Sequence, residues 1–142
     1  MKSLVGFLAL SFLVVSCGDR ATEAGQPAAN ACPAGSFGFS ERGFCADVNW
    51  VVGPTSTKRS AFSLKFWDAK DSSKVPARVD GVVTAFIRMT CCGTVAEGVV
   101  AEKAPGEYEV TGLRFMPGEW DVFVQIKSGD QVEKSSRRLQ VE

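Results

Sequence analysis

The residues able to do chemistry in this 142-residue chain are five cysteines and the methionines, because it contains no histidine. Without imidazole, histidine-based metal sites and every dyad or triad that needs a histidine base are excluded. What remains is sulfur. Cys91 and Cys92 are adjacent, Met89 lies just upstream, and Met116 follows later in the chain. Such soft ligands would select copper(I) or zinc over hard cations. Adjacent cysteines lack the spacing of an ordinary zinc site, and successive strand residues point to opposite faces. A vicinal disulfide, or two thiols of which one is buried, is the competing reading.

Enzymatic signatures are missing. The cysteine pair lacks the two-residue spacer and the helix N-terminus that lower a thiol pKa in thioredoxin-like sites. There is no Gly-x-Ser-x-Gly elbow, phosphate loop, dinucleotide fingerprint or His-Glu metal motif. The expectation is a protein with no catalytic residue, not an enzyme, and with no cofactor unless copper(I) is held by Cys91, Cys92, Met89 and Met116.

Cys17 stands apart from the other cysteines. Lys2 gives a charged start, residues 4–15 are apolar, and small Ser16 precedes the cysteine. The run Leu13-Val14-Val15-Ser16-Cys17 resembles the lipobox of a bacterial lipoprotein signal peptide. That resemblance implies cleavage before Cys17, loss of residues 1–16, a diacylglyceryl group on the thiol and an acylated amine. The apolar run is shorter than the roughly 20 residues that cross a bilayer. Two or more acyl chains give stable attachment, so the membrane is the expected partner through Cys17. The expected location is the bacterial cell envelope. Gly18 after the cysteine implies the outer membrane, periplasmic side or cell surface, in a Gram-negative cell.

Removing lipid-bearing Cys17 leaves Cys32, Cys45, Cys91 and Cys92, an even number in an oxidising compartment. The simplest pairing is Cys32 with Cys45, which would close the intervening loop and stabilise it by roughly 3 kcal/mol. A bridge from the N-terminal loop to Cys91 or Cys92 would instead staple that loop onto the rest of the domain. Sequence leaves the connectivity open.

Charge excludes one class of partner. The chain balances 16 basic against 16 acidic residues, so it offers no positive field for nucleic acid. Residues 17–31 carry the lipidated cysteine and then small and polar residues with no large apolar one, which reads as a flexible tether. An envelope protein close to the membrane is the expected macromolecular partner.

The elements that must position the sulfur are strands. Phe62, Leu64 and Phe66 alternate with Ser63, Lys65 and Trp67. Trp120, Val122, Val124 and Ile126 alternate with Asp121, Phe123, Gln125 and Lys127. Tyr108 and Val110 make a shorter strand, residues 82–89 read as an interior one, and residues 47–52 and 132–141 complete the set. Turn residues separate these runs at Asp80-Gly81, Ala104-Pro105-Gly106, Met116-Pro117-Gly118 and Ser128-Gly129-Asp130. The predicted fold is all-β, an immunoglobulin-like antiparallel β-sandwich of about seven strands over residues 46–142. Residues 32–45 are expected as a cysteine-bounded loop, whose Phe37, Phe39 and Phe44 either cover an open end of the core or form a recognition surface. Trp67 and Phe123, outward by alternation, hint at an interaction face. Glu133, Lys134, Arg137 and Arg138 would discourage edge pairing by the last strand.

The block Gly106-Glu-Tyr108-Glu-Val110-Thr-Gly-Leu-Arg-Phe-Met116-Pro-Gly118-Glu-Trp120-Asp-Val122-Phe-Val124-Gln-Ile126 resembles the C-terminal half of YtkA-like and FixH-like domains, small sandwiches of bacterial envelope proteins. The resemblance covers residues 61–142. Such domains often carry a methionine- and histidine-rich stretch of copper ligands after the central strand. Here that place reads Met89-Thr90-Cys91-Cys92-Gly93-Thr94. The expected function is a non-enzymatic, membrane-anchored binding or accessory module. The alternatives are a copper(I)-handling lipoprotein using Cys91 and Cys92 with Met89 or Met116, and a structural subunit that joins an envelope assembly through an exposed strand edge.

Overall fold

The computed structural model describes residues 32–142. The expected signal peptide, the expected lipidation site Cys17 and the expected tether lie outside the described residues. The described residues make nine strands: β1 (Phe37–Phe39), β2 (Phe44–Val52), β3 (Ser60–Asp68), β4 (Val82–Met89), β5 (Val95–Glu97), β6 (Val99–Ala104), β7 (Glu107–Leu113), β8 (Gly118–Ser128) and β9 (Gln131–Val141). They form two antiparallel sheets, one in the order β1-β2-β3-β7-β6 and the other β5-β4-β8-β9. With β1 set aside, these orders are the ABED and C′CFG arrangement of an immunoglobulin sandwich.

Six of the nine strands are those located from alternation in the sequence, and three are additional. One addition is β1, which lies inside the segment read as a loop: Phe37 pairs with Ala46, Gly38 with Cys45 and Phe39 with Phe44. Phe37–Phe39 and the start of β2 at Phe44 therefore bring this segment into the five-stranded sheet, with turns at residues 33–36 and 40–43. The reason is apolar burial, since Phe37 and Phe39 are 1% and 0% exposed. The other additions are β5 and β6, consecutive edge strands that change sheets at Gly98. Its N–H donates to the Ala85 carbonyl in one sheet at 2.9 Å, while Val99 already pairs with Thr111 in the other. A Cβ on Gly98 would sit 2.7 Å from Val110 Cγ1, so any side chain here would force its neighbours to shift where the chain crosses.

Phe62, Leu64, Phe66, Tyr108 and Val110 face Val83, Ala85, Ile87, Trp120, Val122, Val124 and Ile126 across the core. Each large side chain removed from water in this way contributes about 1.5–3 kcal/mol. Edge-to-face contacts of Phe66 with Tyr108, at 5.5 Å between centroids, and of Phe115 with Trp120, at 5.4 Å, fix the packing.

The two outward aromatics are covered rather than presented. Trp67 is 3% exposed because the β3–β4 connection folds back over it. Pro76 bridges to Trp67, the Ala77 N–H donates to Phe66 at 2.8 Å, and Lys74 Nζ lies 4.9 Å from the indole centroid. Phe123 stacks on Phe86 at 4.8 Å, with Arg88 and Lys134 over its ring.

The charges of β9 serve the side of the sandwich where β1 and β9 meet. Ser135 Oγ accepts from Gly38 N at 3.2 Å, Glu133 Oε1 accepts from Glu41 N at 3.0 Å, and Arg137 donates to the Gly35 carbonyl. Strand register also sorts the turns. The Cys32–Cys45 region, the β3–β4 connection and the β6–β7 and β8–β9 turns lie at one end. The β2–β3, β4–β5 and β7–β8 turns and the end of β9 lie at the other.

Candidate functional site

The sulfur-bearing residues occupy the second of these ends. At the close of β4 the chain makes a tight turn: Met89 N donates to Thr94 O at 2.8 Å and Gly93 N donates to Met89 O at 2.9 Å. Cys91 and Cys92 form its tip, both exposed and unbridged. The turn is tied to the start of β8, because the Glu119 carbonyl accepts from Thr90 N at 3.0 Å and from Thr90 Oγ1 at 3.1 Å.

The β7–β8 turn comes up beside it. Trp120 Nε1 donates to Met116 O at 2.8 Å, and Met116 is 47% exposed. Met89 is partly buried and packs against the core, with its terminal methyl against Gly118, where an added Cβ would meet it at 2.7 Å. All four predicted sulfur ligands thus lie at one end, with the two thiols and Met116 toward solvent and Met89 packed inward. Among the described residues no group of three or more cysteine, histidine, aspartate and glutamate side chains is placed to hold a metal ion. Soft-metal binding here would rest on the two thiols, with a methionine thioether as the further donor.

The thiols are not equivalent. Cys92 Sγ lies 3.2 Å from Thr94 Oγ1. Hydrogen bonds from the Thr94 hydroxyl, the Thr94 backbone and the Cys91 thiol pull the Cys92 pKa below its ordinary value. Its bond to Cys92 pushes Cys91 the other way.

The remaining pair is bridged. Cys32 and Cys45 form a disulfide with Cα atoms 5.5 Å apart, the first of the pairings the sequence left open. It fastens the segment before β1 to β2 at the end opposite the thiols. Thr94 is the contributor that sequence reasoning missed; its only signal was a hydroxyl two positions past Cys92.

Two further features lie on the outer faces. On the four-stranded sheet, Asp121 is held between Arg138 Nε at 2.9 Å and Arg88 Nη2 at 3.4 Å, across the register Arg88–Asp121–Arg138. Hydrogen bonds from Arg138 lead in holding the Asp121 carboxyl below its usual range, against a smaller opposing effect of burial. On the five-stranded sheet a groove of about 490 Å³ is lined by Asp47, Asn49, Lys65, Glu107 and Glu109 among others. At its edge, burial raises the Asp47 pKa, but hydrogen bonds from Ser36 and Lys74 outweigh it and leave the group lowered. The nearby Trp67 Nε1 favours the Asp47 charge without reaching hydrogen-bond geometry, and has no partner of its own.

No family model matches the chain, and no curated protein matches it. Among solved structures, it is similar to the crystal structure of a DUF4785 family protein from Legionella pneumophila subsp. pneumophila str. Philadelphia 1, with 12% sequence identity and a TM-score of 0.47. The match covers 69% of this chain and 28% of that one, so the chain spans less than a third of that protein's length.

Proposed function

We propose that this chain is a lipid-anchored lipoprotein of the bacterial envelope, whose immunoglobulin-like sandwich, of the YtkA-like and FixH-like kind, is a non-enzymatic binding or accessory module. The observation that carries this reading is the Cys32–Cys45 disulfide, placed just after the segment that follows the lipobox-like run. Stable disulfides belong to oxidising compartments such as the periplasm and the cell surface, which is where a cleaved and lipidated Cys17 would leave the domain. The test is fractionation of cells grown with labelled palmitate. Wild-type chain should carry label and sediment with membranes, and Cys17→Ser should lose the label. Equal fractionation of both, without label in either, would overturn the reading.

A second reading, copper(I) handling, is favoured by the gathering of Cys91, Cys92, Met89 and Met116 at one end of the sandwich. Thiolate and thioether donors are the ligands that select copper(I). Detergent-solubilised mature protein with free thiols at Cys91 and Cys92 should take copper(I) from a chromogenic chelator, and the Cys91→Ser, Cys92→Ser double variant should not. Absence of uptake by the wild type would remove this reading and leave the first untouched.

A further inference from the structure

The two exposed thiols sit where a covalent reaction meets little resistance. Among the described backbone hydrogen bonds outside the strands, none uses the N–H or C=O of Cys91 or Cys92, and the ties of the turn are made by Met89, Thr90, Gly93 and Thr94. The peptide between the two cysteines is therefore not itself pinned by those bonds. Space is open beside it, since a Cβ added at Gly93 would meet nothing within 4 Å. The fold has closed its other cysteine pair and left this one unbridged. Only Cys92, of the two, has a hydroxyl within hydrogen-bond distance, Thr94 Oγ1 at 3.2 Å. That hydroxyl can donate to a thiolate and so favours Cys92 as the attacking sulfur.

We infer that the Cys91–Cys92 turn is a thiol–disulfide exchange site, at which Cys92 attacks the disulfide of a small molecule or protein and Cys91 resolves the product. In the first step Cys92 Sγ, as thiolate, forms a bond to one sulfur of the substrate disulfide. The substrate S–S bond breaks, and the second sulfur leaves as a thiolate that takes up a proton. In the second step Cys91 loses its proton and its sulfur bonds to Cys92 Sγ, expelling the first substrate sulfur as a thiol. The turn then holds a vicinal disulfide, two electrons have passed to the substrate, and two thiols have been released. This goes beyond a passive binding module and does not depend on the lipid anchor.

The test uses mature protein with Cys91 and Cys92 reduced and Cys32–Cys45 intact, as checked by peptide mass mapping. A copper chelator is present so that the result stands apart from the copper(I) reading, and glutathione disulfide is the probe. Wild-type protein should end two hydrogens lighter, carry no glutathione and release two equivalents of it. Cys91→Ser should trap a stable glutathione adduct on Cys92. Cys92→Ser should react at least about tenfold more slowly. Both positions are exposed, and matched thermal unfolding of the two variants confirms that they fold. A lasting adduct on the wild-type protein, or equal rates for the two single variants, would overturn the inference.

Discussion

Trp120 and Met116 close a corner: the indole N–H of one donates to the backbone carbonyl of the other at 2.8 Å, at the turn leading into β8. In many immunoglobulin-type sandwiches a tyrosine at the start of the corresponding strand makes a similar backward bond. Here a tryptophan does so while its ring packs edge-on against Phe115. One side chain thus both fills the core and sets the turn beside the thiols.

Those two roles separate by substitution. Trp120→Phe keeps a ring but removes the donor, and should cost about 1–2 kcal/mol in urea unfolding. Trp120→Ala removes the packing as well and should cost about 3–5 kcal/mol. Equal losses would show that the hydrogen bond, and not the ring, dominates.

Replacing Cys32 and Cys45 together by serine should lower stability by about 3 kcal/mol in denaturant. The loss should be uneven across the sandwich. β1 is three residues long, so hydrogen exchange at Phe37–Phe39 should quicken well before exchange in β8. Equal acceleration in both strands would show that β1 holds its place without the bridge.

Asp121 gives the molecule an acid-sensitive contact. Its folded pKa is depressed, chiefly by Arg138, so its contribution is present above the unfolded value of about 3.9 and is lost as pH falls through the folded one. Asp121→Asn should therefore be less stable than wild type near neutrality, and the gap should close as pH falls below about 4. High salt should narrow the neutral-pH gap, because both arginines are half-exposed or more. Thermal unfolding across pH, at low and high salt, measures both effects.

Gly106 is the tightest point where the β6–β7 turn meets the β3–β4 connection. Its φ is +78°, and an added Cβ would run into the backbone of Ala77. Gly106→Ala should cost more than about 1 kcal/mol. It should also loosen the segment covering Trp67, seen as faster exchange of the Ala77 amide, which bonds to Phe66. An unchanged Ala77 amide would mean that the cover is held by Lys74 and Pro76 alone.

The sheets were legible wherever one face is apolar and the other polar. Phe62, Leu64 and Phe66, and Trp120, Val122, Val124 and Ile126, all point inward as their period of two requires. Trp67 escaped that logic because its cover comes from a distant stretch with no periodic signal of its own. β5 and β6 escaped it because Val95-Ala-Glu-Gly-Val-Val-Ala-Glu-Lys-Ala has little contrast between faces, and its central glycine reads as a breaker when it is a crossing point between sheets. β1 is too short to show a period, and Phe-Gly-Phe between two cysteines looks like a loop until its rings are placed. The sulfur residues were visible one by one. Their meeting at one end depends on the pairing of Met89 with Trp120, which is a matter of register, and register is not written in either strand alone.

The placement of Cys32 and Cys91 at opposite ends gives the domain a standoff. β8 runs eleven residues along the sandwich, about 36 Å at the rise of a strand. The exposed Cys91–Cys92 turn thus lies roughly a strand's length from the bridge that fastens the segment before β1. Whatever attaches through the residues before Cys32 therefore joins the sandwich at the end that does not carry the Cys91–Cys92 turn.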